Sequence, residues 1–407
     1  MTTRRVAVTG VGVLSAIGND PAAFWESLAA GRPGIGPVTQ ADCSLLRFQN
    51  GAEVRDFDPT AHFEPRAADT LDRFAQLAVV AARQAVDAAG LAAGGDWRAR
   101  AAVVTGSCLG GQTTMDRGFV DIYVDGRTRP HPLTIPRTMA NAGASAVTMQ
   151  LGITGPAFTT STACSSATHA IGLAYWMVRN GMAEVALAGG SESPFSPGLL
   201  RAWDAVRVVS PDTCRPFDRN RKGMILGEGA AMLVLEPLDA ALARGATVLG
   251  EVVGFGMSSD AHHLTQPSGD GAAQAMRAAL DDAGIRPEQV GYVNAHGTGT
   301  TANDPTECRA LRAVFGGHAE RGLAVSSTKS MHGHALGAAG AIEAAATLLA
   351  LHHGVLPPTA NFGEADPECA LDVIPNEARR AEVECALSNS FAFGGLNAVL
   401  ALRRAGR

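Results

Sequence analysis

No cysteine in this chain has a partner at CxxC spacing. The seven, at positions 43, 108, 164, 214, 308, 369 and 385, are scattered, which argues against a zinc site or a disulfide framework. No apolar run is long enough to span a bilayer. Met1 is followed by Thr-Thr-Arg-Arg and then by an expected strand, Val6 to Val8, without a secretory h-region or cleavage site. A cytoplasmic protein is expected. Basic charge is not in excess. The formal net charge is −6, so nothing global points to nucleic acid, and a basic patch for an acidic partner has to be local. Walker and dinucleotide fingerprints are missing; Gly106 to Gly111 contains glycines without that spacing. Charged residues make up only 18% against 46% hydrophobic, which suits a large buried interior and excludes a disordered chain.

What is present is an alternation of Ala-rich helical stretches and short Val-rich strands, the pattern of an α/β protein. At 407 residues the chain exceeds what one simple core carries, so two core units are expected, fused or repeated. Helices are expected at Phe74 to Ala89, ending at Gly90, at Ala272 to Gly284 and at Ala338 to His352. Strands are expected at Ala101 to Thr105, Glu184 to Ala188 and Val290 to Asn294, and Val383 to Ser388 with Ala398 to Leu402 reads as a hairpin. The halves echo each other weakly: Val6-Ala7-Val8-Thr9-Gly10-Val11-Gly12 resembles Glu251-Val252-Val253-Gly254-Phe255-Gly256 in pattern. No low-complexity linker separates them, so they are expected to share an interface rather than move freely.

Chemistry concentrates in three segments. Ser161-Thr162-Ala163-Cys164-Ser165-Ser166-Ala167 places one cysteine among small residues, between an expected strand (Pro156 to Thr160) and an expected helix (Ala167 to Arg179). A helix N-terminus carries unpaired N–H groups and a partial positive charge, which favours the thiolate, the nucleophilic form. Alone this is weak, because a free cysteine is more often a small buried hydrophobe than a nucleophile. The other two segments are Asn294-Ala295-His296-Gly297-Thr298-Gly299-Thr300 and Ser327-Thr328-Lys329-Ser330-Met331-His332-Gly333-His334-Ala335-Leu336-Gly337. Both set histidines in Gly-rich turns, where backbone can approach a ligand closely.

Cys164, His296 and His334 together resemble the Cys-His-His set of the elongating β-ketoacyl-acyl-carrier-protein synthases, the condensing enzymes of fatty-acid and polyketide synthesis. The resemblance covers nearly the whole chain, from Arg5 to Gly12 at one end to Asn389-Ser390-Phe391-Ala392-Phe393-Gly394-Gly395-Leu396-Asn397 at the other. It implies the thiolase fold, an α/β architecture with two similar halves in a five-layer αβαβα stack. Residues 1–243 would carry the cysteine and residues 244–407 the two histidines. It also implies a two-stage reaction: acylation of Cys164, then condensation with malonyl-carrier protein after loss of CO2. Acyl groups would arrive on the phosphopantetheine of an acyl carrier protein, with no metal and no other cofactor.

The same resemblance assigns roles. Cys164 is the nucleophile, and its N–H with that of Phe393 forms the oxyanion hole. His296 and His334 donate hydrogen bonds to the malonyl thioester oxygen. Lys329 and Glu307 pair near the site and orient the histidines. His332 is expected to be structural or surface-lining, and the Asp212 to Ala230 stretch, like Asp304, is read as scaffold. Phe393 is a gating aromatic, although Ala392 and Leu396 depart from the commoner Gly-Phe-Gly-Gly-Thr-Asn. Leu109, Thr134 and Trp203 fall at acyl-pocket positions, Thr134 where many relatives carry a bulky aromatic at the subunit interface. Arg66, Arg127, Arg129 and Arg207 fall at carrier-protein docking positions, while Asp69 and Thr70 stand where those enzymes often have basic residues. Asp212 to Ala230 is most similar to nodulation-type and polyene polyketide ketosynthases. The family is dimeric, so a homodimer or a heterodimer with a chain-length-factor-like subunit is expected. The alternatives are a chain-length factor, which lacks the cysteine; a thiolase, which needs a second cysteine in Cys-x-Gly where Cys385 does not sit; and a non-enzymatic acyl-binding scaffold.

Overall fold

In the computed structural model, which describes residues 3–91 and 96–406, ten strands join in one continuous sheet. In chain order they are β1 (Val6–Ser15), β2 (Ala101–Gly106), β3 (Ala157–Thr160), β4 (Val185–Glu192), β5 (Gly229–Pro237), β6 (Gly250–Ser259), β7 (Val290–Asn294), β8 (Ala324–Ser326), β9 (Cys385–Phe391) and β10 (Leu396–Arg404). From one outer edge inward the order is β3-β2-β4-β5-β1, and from the other it is β8-β7-β9-β10-β6. Each half therefore arranges its own five strands as third, second, fourth, fifth, first. The directions match as well: parallel among the outer three, antiparallel at the inner two steps. The halves meet where β1 and β6 run antiparallel, Val6 to Val8 against Val252 to Gly250.

Five helices build the layers: α1 (Arg73–Ala88), α2 (Ser166–Arg179), α3 (Gly269–Ala283), α4 (Asn303–Phe315) and α5 (Ala339–His353). Helix α1 covers the outer face of β1, β5 and β4, and α3 covers the outer face of β6 and β10 with α4 beside it. Helices α2 and α5 pack on each other and touch strands of both halves, so they form the middle layer. This is why α5 is not amphipathic. Every residue from Ala339 to Leu351 is buried, as a helix walled in on all sides must be. Strands β2 and β4, covered on both faces, are likewise buried throughout.

The echo between Gly10-Val11-Gly12 and Gly254-Phe255-Gly256 has one physical cause. A Cβ at Gly10 or Gly12 would lie 2.0 and 1.9 Å from the carbonyl oxygens of Ala85 and Ala81 on α1. A Cβ at Gly254 or Gly256 would lie 2.4 and 2.2 Å from those of Ala279 and Ala275 on α3. In both halves the outer helix rests its backbone on a strand stripped of side chains. The expected helices and strands are all found, with boundaries displaced by a few residues. No helix among the described residues is long and apolar enough to cross a membrane.

Candidate active site

Cys164 sits two residues before α2, where β3 turns into the middle layer. The turn is tight. Ala163 adopts φ +50°, and Ser166 ties it down by donating from Oγ to the Ala163 carbonyl at 2.6 Å and accepting from Thr162 N–H at 2.9 Å. The backbone N–H of Phe393, from the turn between β9 and β10, faces the cysteine sulfur and favours its anion. The expected bias towards thiolate is not the net outcome. Burial pushes the Cys164 thiol up to about 11; Lys329 and the Phe393 N–H pull it down, and Glu192 and Glu343 add to the rise. The helix N-terminus favours the anion, but desolvation outweighs that local field.

His296 ends the segment after β7, and His334 lies just before α5. Their rings stand edge to face, with centroids 5.3 Å apart. Burial holds both imidazoles well below their ordinary value, and nearby Lys329 adds to the effect, so both are neutral hydrogen-bonding groups at neutral pH. The Lys329 ammonium donates to the His296 carbonyl at 2.7 Å and lies 3.3 Å from His296 Nδ1. An ammonium can only donate. Nδ1 is therefore the acceptor, and the ring proton resides on Nε2.

The expected Lys329–Glu307 pair is not formed. Lys329 Nζ is paired with Glu343 of α5, both side chains fully buried. Burial lifts the Glu343 carboxyl to about 7 against the pull of Lys329. Glu307, on the first turns of α4, faces back along the chain. It accepts the N–H groups of His296 at 2.9 Å and Gly297 at 2.8 Å, and Asn389 Nδ2 at 3.1 Å. It fixes the histidine turn through its backbone and does not meet the lysine. His332 is fully buried and hydrogen-bonded to Thr328 Oγ1 at 2.9 Å; it is structural and lines no surface. Asp304 accepts from Phe217 and Gly299 N–H groups, in keeping with a scaffold.

Cys164, His296, His334, Phe393 and Trp203 line one cavity of about 180 Å³, together with Arg207, Lys222, Thr298 and Thr300. The Trp203 and Phe393 rings lie 6.2 Å apart. Ala392 is in ordinary extended backbone, and the positive φ values fall on Gly394 and Gly395, so this conformation of the turn needs no glycine at 392. Leu109 packs behind the cavity with Cys108, Trp203 and Leu336. Thr134 lies elsewhere within this chain. It opens a short helix tied to the His131 carbonyl and lines a second cavity with Arg127 and Arg129. The expected basic rim is thus divided: the exposed Arg207 shares the cavity of Cys164, Arg127 and Arg129 line the other cavity, and Arg66 is exposed on helix Pro65–Asp69. Glu343, Glu192 and Asn389 were missed by sequence reasoning. The one available signal was that Glu343 is the sole acidic residue of α5.

A buried thiol with a backbone donor at its sulfur, facing two neutral imidazoles in a thiolase fold, defines an acyl-transferring enzyme that works through cysteine. Residues 3–241 match the family described as beta-ketoacyl synthase, N-terminal domain, and residues 249–363 match beta-ketoacyl synthase, C-terminal domain. The chain is 46% identical to nodulation protein E of Rhizobium sp. (strain N33), covering 98% of this chain and 99% of that one. It is 42% identical to 3-oxoacyl-[acyl-carrier-protein] synthase 2 of Synechocystis sp., covering 98% of each. Among solved structures, the ishigamide ketosynthase/chain length factor aligns with a TM-score of 0.94 at 39% identity, covering 99% of this chain and 100% of that one. The chain belongs to the β-ketoacyl synthase family, and it is an acyltransferase that performs the condensing step of chain elongation.

Proposed function

We propose that the halves 1–243 and 244–407 supply the nucleophile and the two enolate donors respectively. In the first stage the Cys164 sulfur attacks the thioester carbonyl of an acyl-carrier protein. The oxyanion accepts from the N–H groups of Cys164 and Phe393, the carrier's C–S bond breaks, and the carrier thiol leaves with the proton that Cys164 gives up. In the second stage malonyl-carrier protein loses CO2, and the C–C electron pair becomes an enolate. Its oxygen accepts from His296 and His334. The enolate carbon then attacks the acyl-cysteine carbonyl, the C–S bond to Cys164 breaks, and a 3-ketoacyl thioester two carbons longer departs. The reaction as written uses no metal and no cofactor beyond the carrier's phosphopantetheine. Lys329 and Glu307 act through the histidines as positioning residues: Lys329 selects the His296 tautomer, and Glu307 holds the turn that bears it.

The observation that carries this reading is the shared cavity, in which the sulfur, the Phe393 turn and both imidazoles face one another. A dimeric enzyme is supported by its edge. Strand β3 ends the sheet with Phe158 38% exposed, and the adjoining helix Ala142–Leu151 leaves Met149 72% exposed. The partner is a second copy or a chain-length-factor-like subunit, and the mass of the elongated product with and without a candidate subunit tells them apart. The function is tested by acylating Cys164 with a labelled thioester and then adding malonyl-carrier protein. A 3-ketoacyl product on the carrier is expected. A stable acyl-enzyme that releases no CO2 would leave only an acyl-binding subunit.

A further inference from the structure

The mechanism above makes no use of Glu192. Its carboxylate at the end of β4 is fully buried and is held by four donors. Ser107 Oγ donates at 2.9 Å, the backbone N–H groups of Cys108 and Leu109 at 2.8 and 3.2 Å, and the Gly337 N–H at 3.1 Å. The first three belong to the turn that closes β2 behind the cavity. The fourth belongs to the other half of the chain, three residues past His334. The two turns touch at this point: a Cβ on Gly337 would lie 2.3 Å from Glu192 Oε2 and 2.6 Å from the Cys108 nitrogen. The neighbouring Leu336 is held at φ +47°, so this is a fixed bend and not a slack loop.

His334 depends on such anchoring. Among the described residues its Nδ1 has no hydrogen-bond partner, unlike Nδ1 of His296. Its ring is aimed by its backbone, which donates to the Ile225 carbonyl at 2.7 Å and accepts from the Gly227 N–H at 2.9 Å. Both contacts come from the same side of the chain. Glu192 supplies the side-chain tie on the side of the β2 turn and the nucleophile.

We propose that Glu192 is a positioning residue for the condensation: it clamps the His334 turn to the Cys108 turn and so sets the reach from the enolate donor to Cys164. This rests on the roles of Cys164 and His334 given above. The groups that face Cys164 electrostatically are Lys329, Glu343, Cys108 and Glu192 itself, with His296 and His334 across the cavity. Glu192 is the carboxylate among them with no lysine against it.

Two variants separate position from charge. E192D keeps the charge but withdraws it from Gly337. E192Q keeps the reach but turns an amide NH2 towards N–H donors and removes the charge. Three quantities are read: acyl loading of Cys164 from a small thioester, CO2 release by the pre-loaded enzyme with malonyl-carrier protein, and the pH profile of Cys164 alkylation by iodoacetamide. Both variants should load, which also shows that they fold. Both should release CO2 on the order of 10- to 100-fold more slowly, the usual effect of a displaced catalytic group. At pH 8 only E192Q should be alkylated faster, because removing the carboxylate charge lowers the Cys164 thiol. Wild-type CO2 release by E192D overturns the proposal; slowed CO2 release with an unchanged alkylation profile in E192Q would assign the whole effect to position, as proposed. Loss of folding in both variants would assign Glu192 to stability alone. A wild-type enzyme that neither loads nor condenses would overturn the function assigned to the site, while the alkylation comparison still reads the charge of Glu192.

Discussion

Lys329→Ala is the substitution in which stability and chemistry separate most sharply. Lys329 and Glu343 are both fully buried and paired. Removing the lysine leaves a carboxylate with no cation, and breaking such a pair costs about 3–5 kcal/mol. Glu343 escapes part of this by protonating. Its carboxyl already sits at about 7, with Lys329 the main force holding it down, so in the variant it moves higher still. The sign follows. The native state then holds a proton that the unfolded state loses near the ordinary carboxyl value of about 4.3. Stability is fully present below that value and is lost as pH rises through the folded one, at up to about 1.4 kcal/mol per pH unit. The variant should therefore lie nearer wild type in Tm at pH 6 than at pH 8.5. The chemical effect does not recover with pH. His296 Nδ1 loses its 3.3 Å donor, and a hydrogen bond to a charged group contributes about 1.5–3 kcal/mol. CO2 release by pre-loaded enzyme should fall roughly 10- to 150-fold, and loading of Cys164 should slow at neutral pH as well, because the cation that pulls its thiol down is gone. The double variant Lys329→Ala with Glu343→Gln should regain the stability without the rate. The reasoning fails if Lys329→Ala releases CO2 at the wild-type rate, or if the double variant restores it.

Cys164→Ala should abolish condensation as read by product mass, whereas Cys164→Gln should block it and still release CO2 from malonyl-carrier protein; elongation by Cys164→Ala would refute the nucleophile. His296→Ala and His334→Ala should each slow CO2 release by on the order of 10²–10³ with loading far less affected, as for other oxyanion donors, and normal turnover after pre-loading would remove either from its role. Because both imidazoles are held well below their usual range, CO2 release by the loaded enzyme should show no step near pH 6.5, and a loss centred there would contradict their neutrality. Alkylation of Cys164 should keep rising with pH towards about 11, and a plateau at pH 7 would show a preformed thiolate. Arg207→Glu should raise KM for carrier-bound substrate at low salt but spare a small thioester; equal losses on both would place Arg207 in the pocket or the fold.

The three reactive side chains were legible because each interrupts its surroundings: a lone cysteine among Ser, Thr and Ala, and histidines in turns too rich in glycine to be core. The duplicated fold was implied by the family resemblance, and the echo between the halves, weak in the sequence, proves to mark the same helix contact twice, at Gly10 with Gly12 and at Gly254 with Gly256. The supporting carboxylates were not. Glu343 and Glu192 lie inside regular buried elements, and their partners come from distant parts of the chain, Lys329 for one and Gly337 for the other. Nothing local in a helix or strand announces a contact that topology creates. Glu307 was placed near the site by the family resemblance, but which way a helical side chain faces depends on packing, and it turned to the backbone of His296. The thiolate expectation had the right sign for the helix terminus. It lacked the desolvation, because a sequence shows neighbours along the chain and not the depth at which they lie.

Helix α5 has consequences for the order in which the molecule can form. A helix buried on every side from Ala339 to Leu351 has no solvent face to rest on, so it can dock only into a slot whose walls already stand. Those walls draw on both halves, including β5 and β9, and β9 begins at Cys385. Synthesis must therefore pass Phe391 before the helix finds its place, and such long-range closure is slow and exposes apolar surface meanwhile. His334 sits directly ahead of α5 and Glu343 within it, so catalytic competence arrives with this late event and not with the early sheets. Pulse-labelled hydrogen exchange during refolding should find amides of β1, β4 and β5 protected before those of α5, with condensing activity appearing in step with α5. Early protection of α5 would reverse that order.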